Sequence, residues 1–543
     1  MLYLFFKNKF NIYFLSTFFV SLLIFCPIAI IFINSIEVNY QIWEHIHNYL
    51  LYEYIVNSLS LVGGVVSLSL ILGVSAAWFI SFYKLPFKNI ISILLILPIA
   101  IPPYAVAYSY ADITDFGGPL SDFLGYIGLN LKDENFISAR SLFGGIIILS
   151  FTLFPYIYLI CRYSFSRHSS RIMEAASTLG ASRKTLFFKI ALPLSRPAIA
   201  AGVALVMMET LADFGVVHYL GIDSLSVGIY KAWFGLNDLS SSSRLSSLLL
   251  LFALSAILLE KISRNDKSEK FISYDSKTIS KSYFFSESLY PFIFILLLLV
   301  LTLFIPIAWL ISLTSFHNLT EFDVIKAAIN SLTLSFFGAL IIVIISLFVC
   351  FSKRIFKGGL SFLVSIAKIG YASPGIVIAI GVIVPVIFID KKLSNILNFF
   401  FDINIGLLIS SSFIILLFGY LVRFFAVGYN SVEAAFEKVS KKIDFVAVGL
   451  GATKIRTFLK IHFPLISYGA FIGYLLVFIE IMKELPATLI LRPLNLNTLS
   501  VYTFEYASSE QLNHAATTSL IITVLGFIPL LVIFLLLKKT DYK

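Results

Sequence analysis

Two stretches of this sequence, EAASTLGASRKTLFFKIALPL at 174–194 and FVAVGLGATKIRTFLKIHFPLI at 445–466, share one layout. Gly180 and Gly451 lie 271 residues apart, and so do Pro193 and Pro464. Each stretch is polar and basic, carries Gly-Ala-(Ser/Thr), and reaches a Leu-Pro or Phe-Pro before a long apolar run. Such a segment is not lipid-facing. It reads as a surface element presented once by each half of a duplicated membrane chain.

The composition supports that setting. Of 543 residues, 59% are hydrophobic and 13% charged, against about 45–50% and about 25% in soluble domains. The apolar residues collect in runs of about 20 or more, long enough to cross a bilayer as helices. No alternation in segments of about 10 residues, as in a membrane barrel, is visible. The expected class is an all-α integral membrane protein. The formal net charge of +10 sits in short loops between apolar runs, where Lys and Arg set topology, and does not indicate nucleic acid. Cys26, Cys161 and Cys350 lie in or beside apolar runs and read as small core residues. The apolar run after Lys7 and Lys9 is too long for a signal-peptide core and lacks a clear cleavage site, so it reads as the first span.

About twelve spans are expected, near 11–34, 54–82, 88–111, 141–163, 197–220, 244–262, 289–315, 328–352, 358–389, 404–430, 468–491 and 515–537. One set of loops holds Lys84 and Lys88, Arg162 to Arg196, Lys353 to Lys357 and Lys438 to Lys460, and is cytoplasmic by the positive-inside rule. Both repeated stretches and both termini then fall inside. The Ser/Lys-rich segment 263–288 is the natural linker, dividing 1–262 from 289–543. Asn57-Ser58-Leu59 and Asn330-Ser331-Leu332 open corresponding spans. Proline-rich stretches around Pro98, Pro102 and Pro103, and around Pro374, follow them. The repeat order is the same in both halves, so the duplication is parallel. The prolines mark kinks, either fixed or part of a central pathway.

In the first stretch, Arg171–Leu179 can form a short helix that Gly180 terminates. Ser182 then caps a second helix from Arg183 to Ala191, and Pro193 and Pro197 end it. A short amphipathic helix projecting from a membrane can fit a groove on another protein. At these residues the chain resembles the permease subunits of binding-protein-dependent ABC importers. Their signature appears as Glu174-Ala175-Ala176, Gly180-Ala181 and Ile190-Ala191-Leu192-Pro193. The resemblance implies a coupling loop near 171–197 that docks on an ATP-hydrolysing subunit, and a second near 441–467. The second copy keeps Gly451, Ala452 and Pro464, but Phe445 stands where Glu174 does, with Asp444 one position earlier. Glu433-Ala434-Ala435 lies too far from Gly451 to match.

The runs after each stretch carry acidic pairs, Glu209 with Asp213 and Glu480 with Glu484, each spaced to share one helix face. Carboxylates at membrane depth are costly and usually face a bundle interior or a water-filled cavity. They suit a cation pathway, or they cap helices and pair with Lys483 or Arg492. The segments ETLADFGVVHYLGIDSLSVGIYKAWFG and MKELPATLILRPLNLNTLSVYTFEYAS look like the double-length permeases of ferric-iron importers. That resemblance implies a type I permease fold, a periplasmic binding protein delivering Fe(III), two copies of an ATPase subunit, and no cofactor. The seven histidines show no metal-ligand spacing. Tyr104, Tyr108 and Tyr110 fit an interfacial aromatic belt. No GxxxxGK[ST] phosphate loop occurs, so ATP hydrolysis is expected on a partner. The same fold with thiamine, polyamine, sulfate or phosphonate as cargo remains open. A secondary transporter conflicts with the repeated docking loop, and no nucleophile–base cluster supports an enzyme.

Overall fold

The computed structural model describes residues 12–37, 39–126, 138–263, 289–355, 360–401 and 407–541. Segment 264–288, most of the expected linker, lies outside the described residues. Helices dominate because long apolar runs in lipid must satisfy every backbone group internally. The first half contains α1 (Ile12–Asn34), α2 (Leu51–Phe82), α3 (Pro103–Thr114), α4 (Leu142–Thr178), α5 (Arg196–Ala212) and α6 (Leu239–Ser263). The second contains α7 (Leu289–Leu313), α8 (Phe322–Ile355), α9 (Gly375–Phe401), α10 (Phe413–Lys438), α11 (Phe463–Met482) and α12 (Leu512–Asp541). Among the described residues nine helices are long and apolar enough to cross a membrane, or up to twelve if three bent pairs each count as one.

The expected proline kinks are sharper than kinks. Lys88–Ala100 meets Pro103–Tyr126 at 92°, and Leu360–Tyr371 meets Gly375–Phe400 at 110°. Ile101 and Ser373, the residues before Pro102 and Pro374, both sit at φ −81°, ψ 125°. A residue preceding proline is pushed out of the helical region, which ends each first segment at the same point.

Hydrogen bonds repeat between halves. Asn57 Nδ2 donates to the Asp223 carbonyl and Asn330 Nδ2 to the Asn497 carbonyl, both at 2.9 Å. Ser58 Oγ accepts from Leu225 N at 2.9 Å, and Ser331 Oγ from Leu499 N at 2.8 Å. The Asn-Ser pairs inside the N-terminal parts of α2 and α8 therefore pin the chain that follows α5 and α11.

The halves also exchange their first helices. Ile24 of α1 belongs to the second half's core, and Tyr13 meets Phe351 edge-on at 6.1 Å. Ile295, Leu298, Leu303 and Leu310 of α7 are buried in the first half's core. There Tyr110 donates to the Leu301 carbonyl at 2.5 Å, and Trp309 Nε1 to Asp112 at 2.8 Å. Neither half encloses its core without a helix from the other. Of the cysteines, Cys161 and Cys350 are buried as expected, but Cys26 is exposed on α1.

Candidate functional site

The two repeated stretches form the same turn. In the first, Gly180 follows the end of α4 at φ +83°, its amide donating to Ser177 O and the Ala181 amide to Ala176 O, both at 3.0 Å. In the second, Gly451 has φ +74°, with Gly451 N to Val448 O and Ala452 N to Ala447 O, again at 3.0 Å. This is the paired bonding of a Schellman C-cap, whose left-handed residue favours glycine. The next helix restarts identically. Ser182 Oγ accepts from Thr185 N at 3.2 Å, and Thr453 Oγ1 from Arg456 N at 3.3 Å. Both residues have φ −68°, ψ 158°.

A widened π turn follows in each copy, Leu186–Ala191 and Phe458–His462, just before Pro193 and Pro464. Proline lacks the amide proton and crowds the carbonyl four residues back; a wider turn relieves both effects. Pro193 therefore sits inside the helical run with Leu192 and does not end it. The break falls at Ser195, with a bend of 71° before α5. In the second half Tyr468 occupies the place of Pro197, and α11 runs unbroken from Phe463.

The routes into the turns differ from expectation as well. No separate helix covers Arg171–Leu179, because α4 continues through Glu174, Ala175 and Ala176 to Thr178. The Glu174 side chain lies outside the described residues. In the second half the chain breaks at Val439, and a separate helix, Lys441–Gly449, carries Asp444. Asp444 is engaged within the chain, at 2.8 Å from Arg354 Nε and 2.6 Å from His462 Nε2. Burial opposes its charge, but these two hydrogen bonds outweigh it and hold the Asp444 carboxyl below its ordinary value. Arg354 also donates to the carbonyls of Phe436 and Val439. Glu433 of the unmatched Glu-Ala-Ala is tied to Lys353 at 2.6 Å and to the Tyr429 hydroxyl at 2.9 Å.

Both turns rest on matched aromatic contacts, Trp78–Phe187 at 5.0 Å and Phe351–Phe458 at 4.7 Å. Both expose matched apolar side chains. Leu179 and Leu450 are 87% and 83% exposed, and Phe188 and Leu459 are 64% and 57% exposed. Apolar residues held out on rigid turns form a surface suited to a protein partner.

The four acidic residues meet in one cavity of about 60 Å³ between the halves, walled also by Tyr104, Phe214, Arg423 and Lys483. The shared-helix-face premise is corrected. α5 ends at Ala212 and α11 at Met482, so neither acidic pair lies on one continuous helix. Asp213 turns its carboxylate to the amides of Val216 and Val217, at 3.0 and 3.4 Å. Glu484 accepts from Ala487 N at 3.0 Å. Each thus supplies an acceptor to the free amides of the following short helix. The expected continuous spans over 197–220 and 468–491 stop at these caps.

Glu209 and Glu480 are bonded across the boundary between halves. Tyr371 donates to Glu209 at 3.0 Å and Tyr156 to Glu480 at 3.3 Å. Lys483 Nζ lies 3.1 Å from Glu480, and Arg423 3.2 Å from Glu484. Arg492 pairs instead with Glu505 at 2.6 Å. Gly375 sits against the Arg423–Glu484 pair, where a Cβ would collide with both side chains. Arg423, Tyr156 and Tyr371 were not anticipated. The signal for Arg423 is present in the sequence, a single cation inside the apolar run at 416–429, where a charge marks a functional position. The aromatic-belt reading is corrected too. Tyr104 and Tyr108 are buried at 3% exposure each, and Tyr104 lines the cavity.

Beyond the cavity lies an open cleft of about 490 Å³, lined by Asp115, Arg140, His218, Tyr219 and Glu510. Phe214, on the cavity wall, packs 5.8 Å from Phe504, and His218, on the cleft wall, 5.2 Å from the same ring. An aromatic cluster therefore separates cleft and cavity. Among the described residues no group of three or more His, Cys, Asp or Glu is placed to hold a metal ion.

With this geometry the comparisons with known proteins agree. The binding-protein-dependent transport system inner membrane component family matches residues 69–264. The Fe(3+)-transport system permease protein FbpB 2 of Haemophilus influenzae is 23% identical over 478 residues, 86% of each chain. The sulfate transport system permease protein CysT of Escherichia coli is 25% identical over 254 residues, 45% of this chain and 89% of its own. The molybdenum transport system permease protein ModB of Escherichia coli is 31% identical over 140 residues, 26% of this chain and 58% of its own. Residues 69–264 thus belong with the inner-membrane components of binding-protein-dependent transport, and the helical architecture is that of a type I permease. Over most of its length the chain is similar to a permease of the same length class.

Proposed function

We propose that this permease imports Fe(III), delivered by a periplasmic binding protein and driven by ATP hydrolysis on a separate subunit. The single observation that carries the cargo class is the cavity of Glu209, Asp213, Glu480 and Glu484 at the junction of the halves. Carboxylate oxygens are hard ligands and suit a hard cation. The relative matched along 86% of the chain is an Fe(3+) permease, whereas the sulfate permease matches 45%. An acidic cavity also disfavours an anion such as sulfate.

The turns at Gly180 and Gly451 each receive one ATPase subunit, so two copies bind. Glu174, Ala175, Ala176, Gly180, Ala181, Leu192 and Pro193 form the first dock, and Gly451, Ala452 and Pro464 the second, with Asp444 bracing the second from within. The basic loops support a cytoplasmic position for both turns and both termini. The acidic residues then lie at or near the pathway between the outer cleft and the cytoplasm. ATP hydrolysis belongs to the partner, and the chain transmits motion between inward- and outward-open states.

The test is reconstitution with the cognate ATPase and binding protein in proteoliposomes. Fe(III)-loaded binding protein is expected to stimulate ATP hydrolysis and iron uptake together. A cognate binding protein loaded with thiamine, a polyamine or sulfate would end the iron reading while leaving the class intact.

A further inference from the structure

The two acidic pairs of the central cavity are not equivalent. Both second-half carboxylates have a cation from their own half, Lys483 for Glu480 at 3.1 Å and Arg423 for Glu484 at 3.2 Å. The positions matching these cations in the first half, 271 residues earlier, are Ala212 and Thr152. Among the described residues Glu209 is hydrogen-bonded only by a neutral group, the Tyr371 hydroxyl. Among the same residues the Asp213 carboxylate is bonded only by backbone amides. On the same wall Tyr104 is 3% exposed, and its hydroxyl has no hydrogen-bond partner. Among the described residues the first-half wall thus holds oxygen donors with no cation bonded to them, while each second-half carboxylate has one.

Lys483 also reaches across the boundary to the Ile99 carbonyl at 3.5 Å. It lies at the end of α11 beside the cap at Glu484, so movement of one half against the other displaces it. We infer that Lys483 is a specificity-determining residue, a tethered counter-cation that occupies Glu480 so that cargo meets Glu209, Asp213 and the Tyr104 hydroxyl instead. This rests on the reading of the four carboxylates as a cation pathway. A resident ammonium lowers the depth of an acidic trap. Passage needs a site strong enough to enter and weak enough to leave. Removing Lys483 leaves Glu480 with the Tyr156 hydroxyl but no bonded cation in a low-dielectric cavity, where one charge changes cation affinity steeply.

The experiment uses the full complex of permease, ATPase and binding protein in proteoliposomes. Fe(III) uptake, binding-protein-stimulated ATP hydrolysis and inhibition by free lanthanum(III) are measured together. Lys483→Gln is expected to keep stimulated hydrolysis but lower uptake per ATP by about tenfold, and to lower the half-inhibitory lanthanum(III) concentration by about tenfold. The double variant Glu480→Gln/Lys483→Gln removes both charges and is expected to raise the half-inhibitory lanthanum(III) concentration at least about threefold above that of Lys483→Gln alone. Glu480→Gln alone frees the ammonium toward Glu209 and is expected to weaken lanthanum(III) inhibition; it carries the test if Lys483→Gln does not assemble. Glu209→Gln is expected to lower uptake by about tenfold or more. Unchanged lanthanum(III) inhibition in Lys483→Gln or Glu480→Gln, with uptake still lost in Glu209→Gln, overturns the assignment of Lys483. Parent-level uptake in Glu209→Gln overturns the underlying pathway reading instead.

Discussion

The first and second turns reach one geometry by different means. The first is carried on α4, a continuous helix of 37 residues that runs from the span into the turn. The second is carried on a separate helix of 9 residues, Lys441–Gly449, after a break at Val439. Arg354 holds the broken junction, binding two carbonyls at the end of α10 and the Asp444 carboxylate. The first half has Met173 and Ala191 where the second has Asp444 and His462, so it cannot form that clamp. Covalent continuity in one half is replaced by an ion-pair network in the other. The Schellman bonds, the N-cap and the π turn before proline are common to both. Turn geometry is thus duplicated, and the mechanical support of the turn is not.

The comparison can be broken most severely at the glycines. Gly180→Pro or Gly451→Pro cannot reach a positive φ, and either is expected to abolish uptake with membrane insertion intact. Full transport by both variants would remove the turns from the coupling role. The aromatic supports come next. Trp78→Ala and Phe351→Ala are expected to cost about 3–5 kcal/mol each, read as lower thermal stability of the purified chain. A loss in only one half would show unequal support. Third, Arg354→Ala or Asp444→Asn is expected to cost about 2 kcal/mol by leaving a partner unpaired. Hydrogen exchange should rise over 441–466 and not over 175–194; equal rises in both segments would deny the clamp.

The same pair makes a pH comparison. The Asp444 carboxyl is held below its ordinary value, so its stabilisation is present above about pH 4 and is lost as pH falls through the depressed value. Acid unfolding of the parent should show that loss, and Asp444→Asn should lack it. The smallest stability effects belong to Leu179→Ser and Leu450→Ser, within about 0.5 kcal/mol because both side chains are exposed. Each should nonetheless weaken ATPase binding by about tenfold, or about 1.4 kcal/mol. Unaltered ATPase binding in both variants would move the dock elsewhere.

The sequence by itself determined the class, the duplication and the turns. These depend on local rules. Apolar run length sets the spans, glycine sets the left-handed cap, and Ser182 sets the next helix start. Three features escaped it because they depend on distant partners. Asp213 and Glu484 look like helical residues by spacing, yet backbone amides a few residues ahead stop the helix at each. Tyr104 and Tyr108 carry the composition of an interfacial belt, but the break before Pro102 turns their helix inward. Asp444 stands in the sequence only as a displaced counterpart of Glu174, and its partner Arg354 lies 90 residues away.

Only the tertiary structure decided that α1 and α7 are exchanged between halves. An apolar helix carries no mark of which apolar surface will cover it. The tertiary structure likewise decided that four carboxylates, two cations and three tyrosines share one junction. Periodicity orders residues along one helix. Which charges neutralise which across a cavity is fixed by the packing of two halves, and there Arg423 and Lys483 make the halves unequal.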